Sequence, residues 1–253
     1  MADKAETSIL RVVLHLQENI YNTQAPEKDE FKDLKVRGII RELSAARTCK
    51  ILDVGCGDGS LLEPFHRHHE CYGVDISEAQ LKKARAKGIK AFRVNIEAEK
   101  LPFPQSFFDL AVCSETIEHL LDVDNLFHEV NRTLKKGGFF ILTFPNVNQP
   151  VSWLLQVVFD LPPMYSARYK SPHVRDYTLR IVKSALTRFG FAVKNVTGTY
   201  VYPFKGGVSQ FLARFIPRIA EKIIVVSEKH QETMMLPSRK VVWNVLDLVR
   251  EGI

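Results

Sequence analysis

The stretch ILDVGCGDGSLL, residues 51–62, constrains the fold more than any other part of the chain. A short apolar run through Asp53 and Val54 has the composition of a buried strand. Gly55, Gly57 and Gly59 then turn the chain away from it. Glycine in such a turn lets the backbone approach a ligand closely and take conformations that a side chain forbids. SLLEPFHRH predicts a helix behind the turn, with unsatisfied N–H groups at its start. A second short strand, CYGVD, ends at Asp75, placed to take the two hydroxyls of a ribose. A dinucleotide site has this architecture, with G-x-G-x-x-G spacing and a pyrophosphate at the helix start. Here the spacing is G-x-G-x-G, with Asp53 two positions ahead of the first glycine. A carboxylate there suits a ligand carrying an ammonium or sulfonium and repels a pyrophosphate. A nicotinamide-dependent oxidoreductase is disfavoured on the same ground. The glycines alone are also compatible with a plain tight turn.

Strands and helices alternate from residue 48 to 145, which predicts a parallel, doubly wound sheet. The helix over SEAQLKKARAKG has Ser77 as its N-cap and Gly88 past its end. KAFRVN and FFDLAVC give the third and fourth strands. A helix over residues 122–138 places Leu126, Val130 and Leu134 on one face, and FFILTFP gives the fifth strand. Residues 146–176 break the rhythm with four prolines and an apolar helical piece from Trp153 to Phe159. Connections of that length are often lids or binding loops, and Tyr165, Arg168 and Tyr169 are placed to close over a substrate. The apolar piece suits a greasy lid, a membrane-facing helix or ordinary packing. A capped helix over TLRIVKSALTRFG follows, then strands FAVKNVTG and KIIVVSEK.

Helical spacing also marks residues 9–20 and 34–46 before the sheet, and RKVVWNVLDLVRE after it. The expected organisation is therefore a helical cap over 1–46, a domain over 47–229 with the 146–176 insertion facing substrate, and a helical extension over 230–253. No apolar run is long enough to span a membrane. The start of the chain lacks the pattern of a signal peptide, and the four cysteines lack zinc-like pair spacing. A cytoplasmic protein is expected. Charge is uneven: residues 151–253 carry 15 Lys/Arg against 7 Asp/Glu. That suits an anionic acceptor, a phosphate-bearing polymer or an acidic membrane surface, or is simply a solvated basic surface.

In order, ILDVGCGDG, YGVDIS, VNIEAEKLPFPQSFFDLAVCSETIEHL and LKKGGFFILTFPN resemble the class I S-adenosylmethionine-dependent methyltransferases, most nearly the small-molecule branch that includes ubiquinone-pathway O-methyltransferases. The resemblance implies an α/β, Rossmann-like seven-stranded sheet in the order 3-2-1-4-5-7-6, with the seventh strand antiparallel. It places Gly55, Cys56 and Gly57 along the methionine part of the cofactor, with Asp53 near its amino group. Asp75 would take the ribose hydroxyls and Ile76 would pack on the adenine. The family's adenine-amino contact falls on Asn95 or Glu97, with Asn95 preferred and Ile96 giving a backbone contact. Ser114 would end the fourth strand against the cofactor.

SETIEHLL, residues 114–121, follows that strand at the carboxyl edge, where open α/β sheets bind ligands. On a helix, Glu115, Glu118 and His119 would share one face. Three roles compete for them. His119 is a general base for an acceptor hydroxyl; or the three residues bind a divalent cation such as magnesium, manganese or zinc; or they are a solvated, hydrogen-bonded turn. The second role resembles small-RNA 2′-O-methyltransferases, which add a later histidine, here His173. The expected activity is O-methylation of a small-molecule, lipid-linked or sugar acceptor. RNA 2′-O-methylation and a non-catalytic cofactor-binding module are the alternatives. His66, His68 and His69 fit a solvated helix end, and His128 a helix surface.

Overall fold

The computed structural model describes residues 30–160, 173–204 and 206–233. The expected helices over 9–20 and within 230–253, and Tyr165, Arg168 and Tyr169, lie outside them. Seven strands form one sheet: β1 (Lys50–Val54), β2 (Glu70–Asp75), β3 (Lys90–Arg93), β4 (Phe108–Ser114), β5 (Leu134–Pro145), β6 (Phe191–Gly198) and β7 (Lys222–Lys229). Their order is β3-β2-β1-β4-β5-β7-β6, as the resemblance implies. β7 runs antiparallel to both neighbours.

The central strands are apolar on both faces because each face carries its own core. Leu52 and Val54 of β1 join Ala111, Cys113, Phe140 and Leu142 on one side. Ile51 joins Leu110, Val112 and Ile141 on the other. This is the burial that near-continuous apolar runs produce in parallel sheets. Helix α1 (Glu30–Ser44) presses Val36 and Ile40 into the second core. The four cysteines are buried and unpaired.

Two local expectations are corrected. Where SLLEPFHRH predicts a helix, the chain forms turns and a single 3-10 turn, Glu63–Phe65. Pro64 has no N–H to donate to the Ser60 carbonyl, and the Arg37 guanidinium takes the Ser60 and Leu61 carbonyls instead, at 2.8 and 3.3 Å. His69 is scaffolding there, accepting from the Cys49 N–H at 3.1 Å. Second, Leu134 is not on the helix that carries Leu126 and Val130. Leaving aside the short α2 (Glu78–Ala86), that helix is α3 (Asp124–Thr133), and Leu134 opens β5 opposite Phe108. The N–H groups of Ser106 and Phe107 occupy the Arg132 and Thr133 carbonyls, at 3.0 and 2.7 Å, and end the helix there.

Ser77 and Thr178 cap α2 and α5 (Leu179–Arg188) as expected, their side chains accepting from Gln80 and Ile181 N–H groups. The apolar piece of the insertion is α4 (Pro150–Phe159). A further helix, α6 (Gly206–Phe215), lies between β6 and β7, where no element was expected. The β5–β7 register sets Lys222 opposite Pro145, at the carboxyl end of β5. Among the described residues no helix is long and apolar enough to cross a membrane.

Candidate active site

The glycine turn is tied to β2 through its backbone. The N–H groups of Gly55 and Cys56 both donate to the Val74 carbonyl, at 2.8 and 3.0 Å. Asp75 then holds two segments at once: Oδ2 accepts from Gly57 N–H at 2.9 Å and Oδ1 from Ser77 N–H at 2.8 Å. Burial raises its carboxyl above the usual range, against the pull of those amides. Beside it Ile76 is half-buried at the entry to α2.

Asp53 points to what the turn accepts. It is only 2% exposed, and its Oδ1 has no hydrogen-bond partner. Burial pushes the carboxyl up to about 8, with the Asp33 and Asp75 charges adding to it and Lys32 opposing. A buried carboxylate lacking a donor is costly unless a cation meets it. At Gly57 an added Cβ would meet nothing within 4 Å, so the turn borders open space. These residues fit a ligand bearing an ammonium and a sulfonium, as S-adenosylmethionine does.

At Gly55, by contrast, a Cβ would lie 2.2 Å from Thr116 Oγ1, and φ is +77°. Thr116 donates to the Val54 carbonyl at 3.3 Å, so the turn after β4 is packed directly on the glycine turn. Gly55→Ala is expected to lower stability by about 2–4 kcal/mol, from backbone strain plus the clash. Gly57→Ala, which meets only the φ penalty, should cost roughly 1–2 kcal/mol. Thermal unfolding of both variants checks the difference.

Just past the end of β3, Asn95 Oδ1 accepts from Glu97 N–H at 3.1 Å. Ile96 is buried, and its carbonyl accepts from Asn125 Nδ2 at 2.7 Å. Glu97 Oε1 accepts from the N–H groups of Leu121 and Asp122, while its Oε2 is buried without a hydrogen-bond partner.

SETIEHLL is not an α-helix. Glu115 sits at φ +54°, and Ile117–His119 form a single 3-10 turn. The left-handed residue breaks the helical periodicity, so Glu115 does not share a face with Glu118 and His119. It faces β5 and β7: Oε1 accepts from Thr143 Oγ1 at 3.1 Å, and Oε2 pairs with Lys222 Nζ at 2.9 Å. Ser114 Oγ lies 3.0 Å from the same Thr143 hydroxyl.

Glu118 and His119 instead meet His173. One ligand atom from each of the three lies within 4.8 Å of the others, and Glu115 is outside the group. The imidazole rings of His119 and His173 are 4.9 Å apart at their centroids and inclined by 62°. The backbone makes the meeting possible: Val174 and Arg175 N–H groups donate to the Glu118 carbonyl at 2.9 and 3.2 Å. Glu118 is 2% exposed, and neither carboxyl oxygen has a hydrogen-bond partner. His119 Nε2 lies 3.9 Å from its Oε1. Burial pushes its pKa well above the carboxylate range, and the Glu115 charge adds to this. A buried carboxylate beside two imidazoles fits a divalent cation, whose charge would offset that penalty.

Sequence reasoning missed Thr116, Thr143 and Lys222. Thr143 had a signal, as the one polar residue inside FFILTFP. Lys222 had none, because only the antiparallel register of β7 brings it to Glu115.

A family model described as "Methyltransferase domain" matches residues 52–142. The ubiquinone biosynthesis O-methyltransferase of Leptothrix cholodnii is 30% identical over 136 residues, 51% of this chain and 57% of that protein. The mitochondrial ubiquinone biosynthesis O-methyltransferase of Homo sapiens is 31% identical over 169 residues, 62% of this chain and 45% of that protein. The chain thus spans about half the length of these curated relatives. A solved S-adenosylmethionine dependent methyltransferase from Mesorhizobium loti superposes with a TM-score of 0.55 at 25% identity, covering 74% of this chain and 95% of that one. The methyltransferase model over residues 52–142, the sheet order and the glycine turn with its two aspartates together support a class I S-adenosylmethionine-dependent methyltransferase.

Proposed function

We propose that the chain methylates a hydroxyl oxygen of a small-molecule, lipid-linked or sugar acceptor at the Glu118–His119–His173 cluster. The observation that carries this is the cluster itself: three donor groups converge on a turn packed against the glycine loop. Kinship with ubiquinone-pathway O-methyltransferases supports the acceptor class, and the basic C-terminal part suits an acceptor with negative charge.

The cofactor, when bound, supplies a methyl on positively charged sulfur. Asp53 would pair with its ammonium and Asp75 would take its ribose hydroxyls. The buried turn excludes water and orients the acceptor, which contributes much of the rate in such transfers. Glu118, His119 and His173 would hold a divalent cation (magnesium, manganese or zinc), whose role is to lower the pKa of the acceptor hydroxyl. The donor-free oxygens of Glu118 favour this over a lone His119 base. Glu115, paired with Lys222, orients the turn and lies outside that ligand set.

Metal titration tests the reading. The raised pKa of Glu118 means that its proton must leave for the carboxylate to bind a cation. Titration of the purified chain with Mn²⁺ or Zn²⁺ should therefore release protons, with apparent affinity rising as pH rises. Glu118→Gln and His173→Ala should each lose the metal. Saturable cofactor binding with no metal binding, and activity indifferent to a chelator, would leave His119 acting as a base alone.

A second reading, RNA 2′-O-methylation, draws on the same cluster and on the excess of Lys/Arg in residues 151–253. It predicts RNA binding that weakens steeply with salt. Flat salt dependence would eliminate it.

A further inference from the structure

Helix α6 is packed inside out. Amphipathic helices normally turn their large apolar side chains inward, but α6 buries Ser209 and Ala213 and exposes Val208 (59%), Phe211 (61%) and Phe215 (64%). The cause is local. Ser209 Oγ accepts from Val201 N–H at 2.8 Å. Gly198 lies so close that an added Cβ would stand 2.2 Å from Ala220 Cβ and 3.1 Å from the Ala213 carbonyl. Ser209 and Ala213 fill the closest approach, Leu212 packs only partly against the same cluster, and Val208, Phe211 and Phe215 point out at i, i+3 and i+7.

The outward side chains of α6 are mainly apolar and basic. Phe211 and Phe215 pack ring to ring at 4.6 Å, and the Arg214 guanidinium lies 5.9 Å from the Phe215 ring centre. Tyr202, Phe204 and Ile216 are exposed on either side in sequence. Residues 199–220 hold Lys205, Arg214 and Arg218 and no acidic residue. A second apolar helix leaves the same edge of the sheet: Asn146, just ahead of α4, donates to the Arg218 and Ala220 carbonyls at 2.9 and 2.8 Å.

We infer that α6 is a docking surface for an anionic lipid bilayer. Phe211 and Phe215 enter the headgroup boundary, and the flanking cations meet the lipid charge. Charge selects this occupant. A second copy facing the first across a twofold axis would set Arg214 and Arg218 against their own equivalents, whereas an anionic surface complements them. Large apolar side chains flanked by arginine and lysine are the pattern of helices that lie in a membrane interface.

Flotation of the full chain with vesicles tests this, comparing phosphatidylcholine alone with phosphatidylcholine containing phosphatidylglycerol. The chain should float with the anionic vesicles, less so as salt is raised. The double variant Phe211→Ser, Phe215→Ser and the single variant Arg214→Glu should each weaken binding about tenfold or more. Because these side chains are exposed, thermal unfolding and cofactor binding should be unchanged. Three results would each overturn the inference: no binding to either vesicle, equal binding by the double variant, or a wild-type dimer that the double variant dissolves.

Discussion

Asp53→Asn should unfold at a higher temperature than the parent at pH 7 and yet bind S-adenosylmethionine at least about a hundredfold more weakly. The two effects share one cause. In the fold the Asp53 carboxyl titrates near 8, far above its value in an unfolded chain, because burial disfavours its charge. Between about pH 4 and pH 8 the folded chain therefore holds a proton that the unfolded chain has lost, so stability falls as pH rises across that window. At pH 7 the penalty has a ceiling of about 4 kcal/mol. Asparagine avoids it but must itself be accommodated among buried groups, so a gain of about 1–2 kcal/mol is expected, several degrees in Tm. The same change removes the counter-charge for the cofactor's ammonium. Scanning calorimetry from pH 5 to pH 8, with the parent curve falling and the variant curve flatter, reads the first effect. Calorimetric titration with S-adenosylhomocysteine, which keeps the ammonium, reads the second. A variant no more stable than the parent at pH 7 would mean that Asp53 is already ionised and paired.

His119→Ala should lower kcat by about 10²–10⁴ while changing cofactor affinity little. His119 lies on the 3-10 turn after β4, whereas the cofactor contacts expected above, Ser114 apart, come from β1, β2 and the segment after β3. The size of the loss follows whether His119 takes the acceptor's proton or holds the cation that acidifies it. The two roles separate by pH and metal. A base gives a rate that rises through the histidine range and ignores chelators. A ligand gives activity that a chelator removes and added metal restores. His173→Ala discriminates further, because it costs comparably only when both imidazoles hold one ion. A silent His119→Ala would reduce the cluster to scaffolding.

The parts of the fold legible in the sequence were those set by local chemistry. Apolar runs ending at Val54, Asp75 and Ser114 marked central strands because both faces are buried. Ser77, Gly88 and Thr178 marked helix ends because caps and left-handed turns demand those residue types. Where tertiary contacts overrode local preference, the sequence misled. SLLEPFHRH has helical composition, but Pro64 and the distant Arg37 remove the bonds that a helix needs. The chemistry of SETIEHLL was legible, its geometry was not: helical spacing grouped Glu115 with Glu118 and His119, while the fold sends Glu115 to Lys222. α6 was invisible for the opposite reason, since its apolar residues face outward and small ones face in. His173 was legible only through the resemblance, because no periodicity links residues so far apart in the chain.

The bond pair from Val174 and Arg175 to the Glu118 carbonyl has a consequence for how the site tolerates change. It joins the long connection after β5 to the turn after β4 through main-chain donors and a main-chain acceptor. Substitution of the Val174 or Arg175 side chain should therefore leave His173 in place beside His119. The polypeptide backbone is thus a fixed joint between that connection and the turn that carries Glu118 and His119.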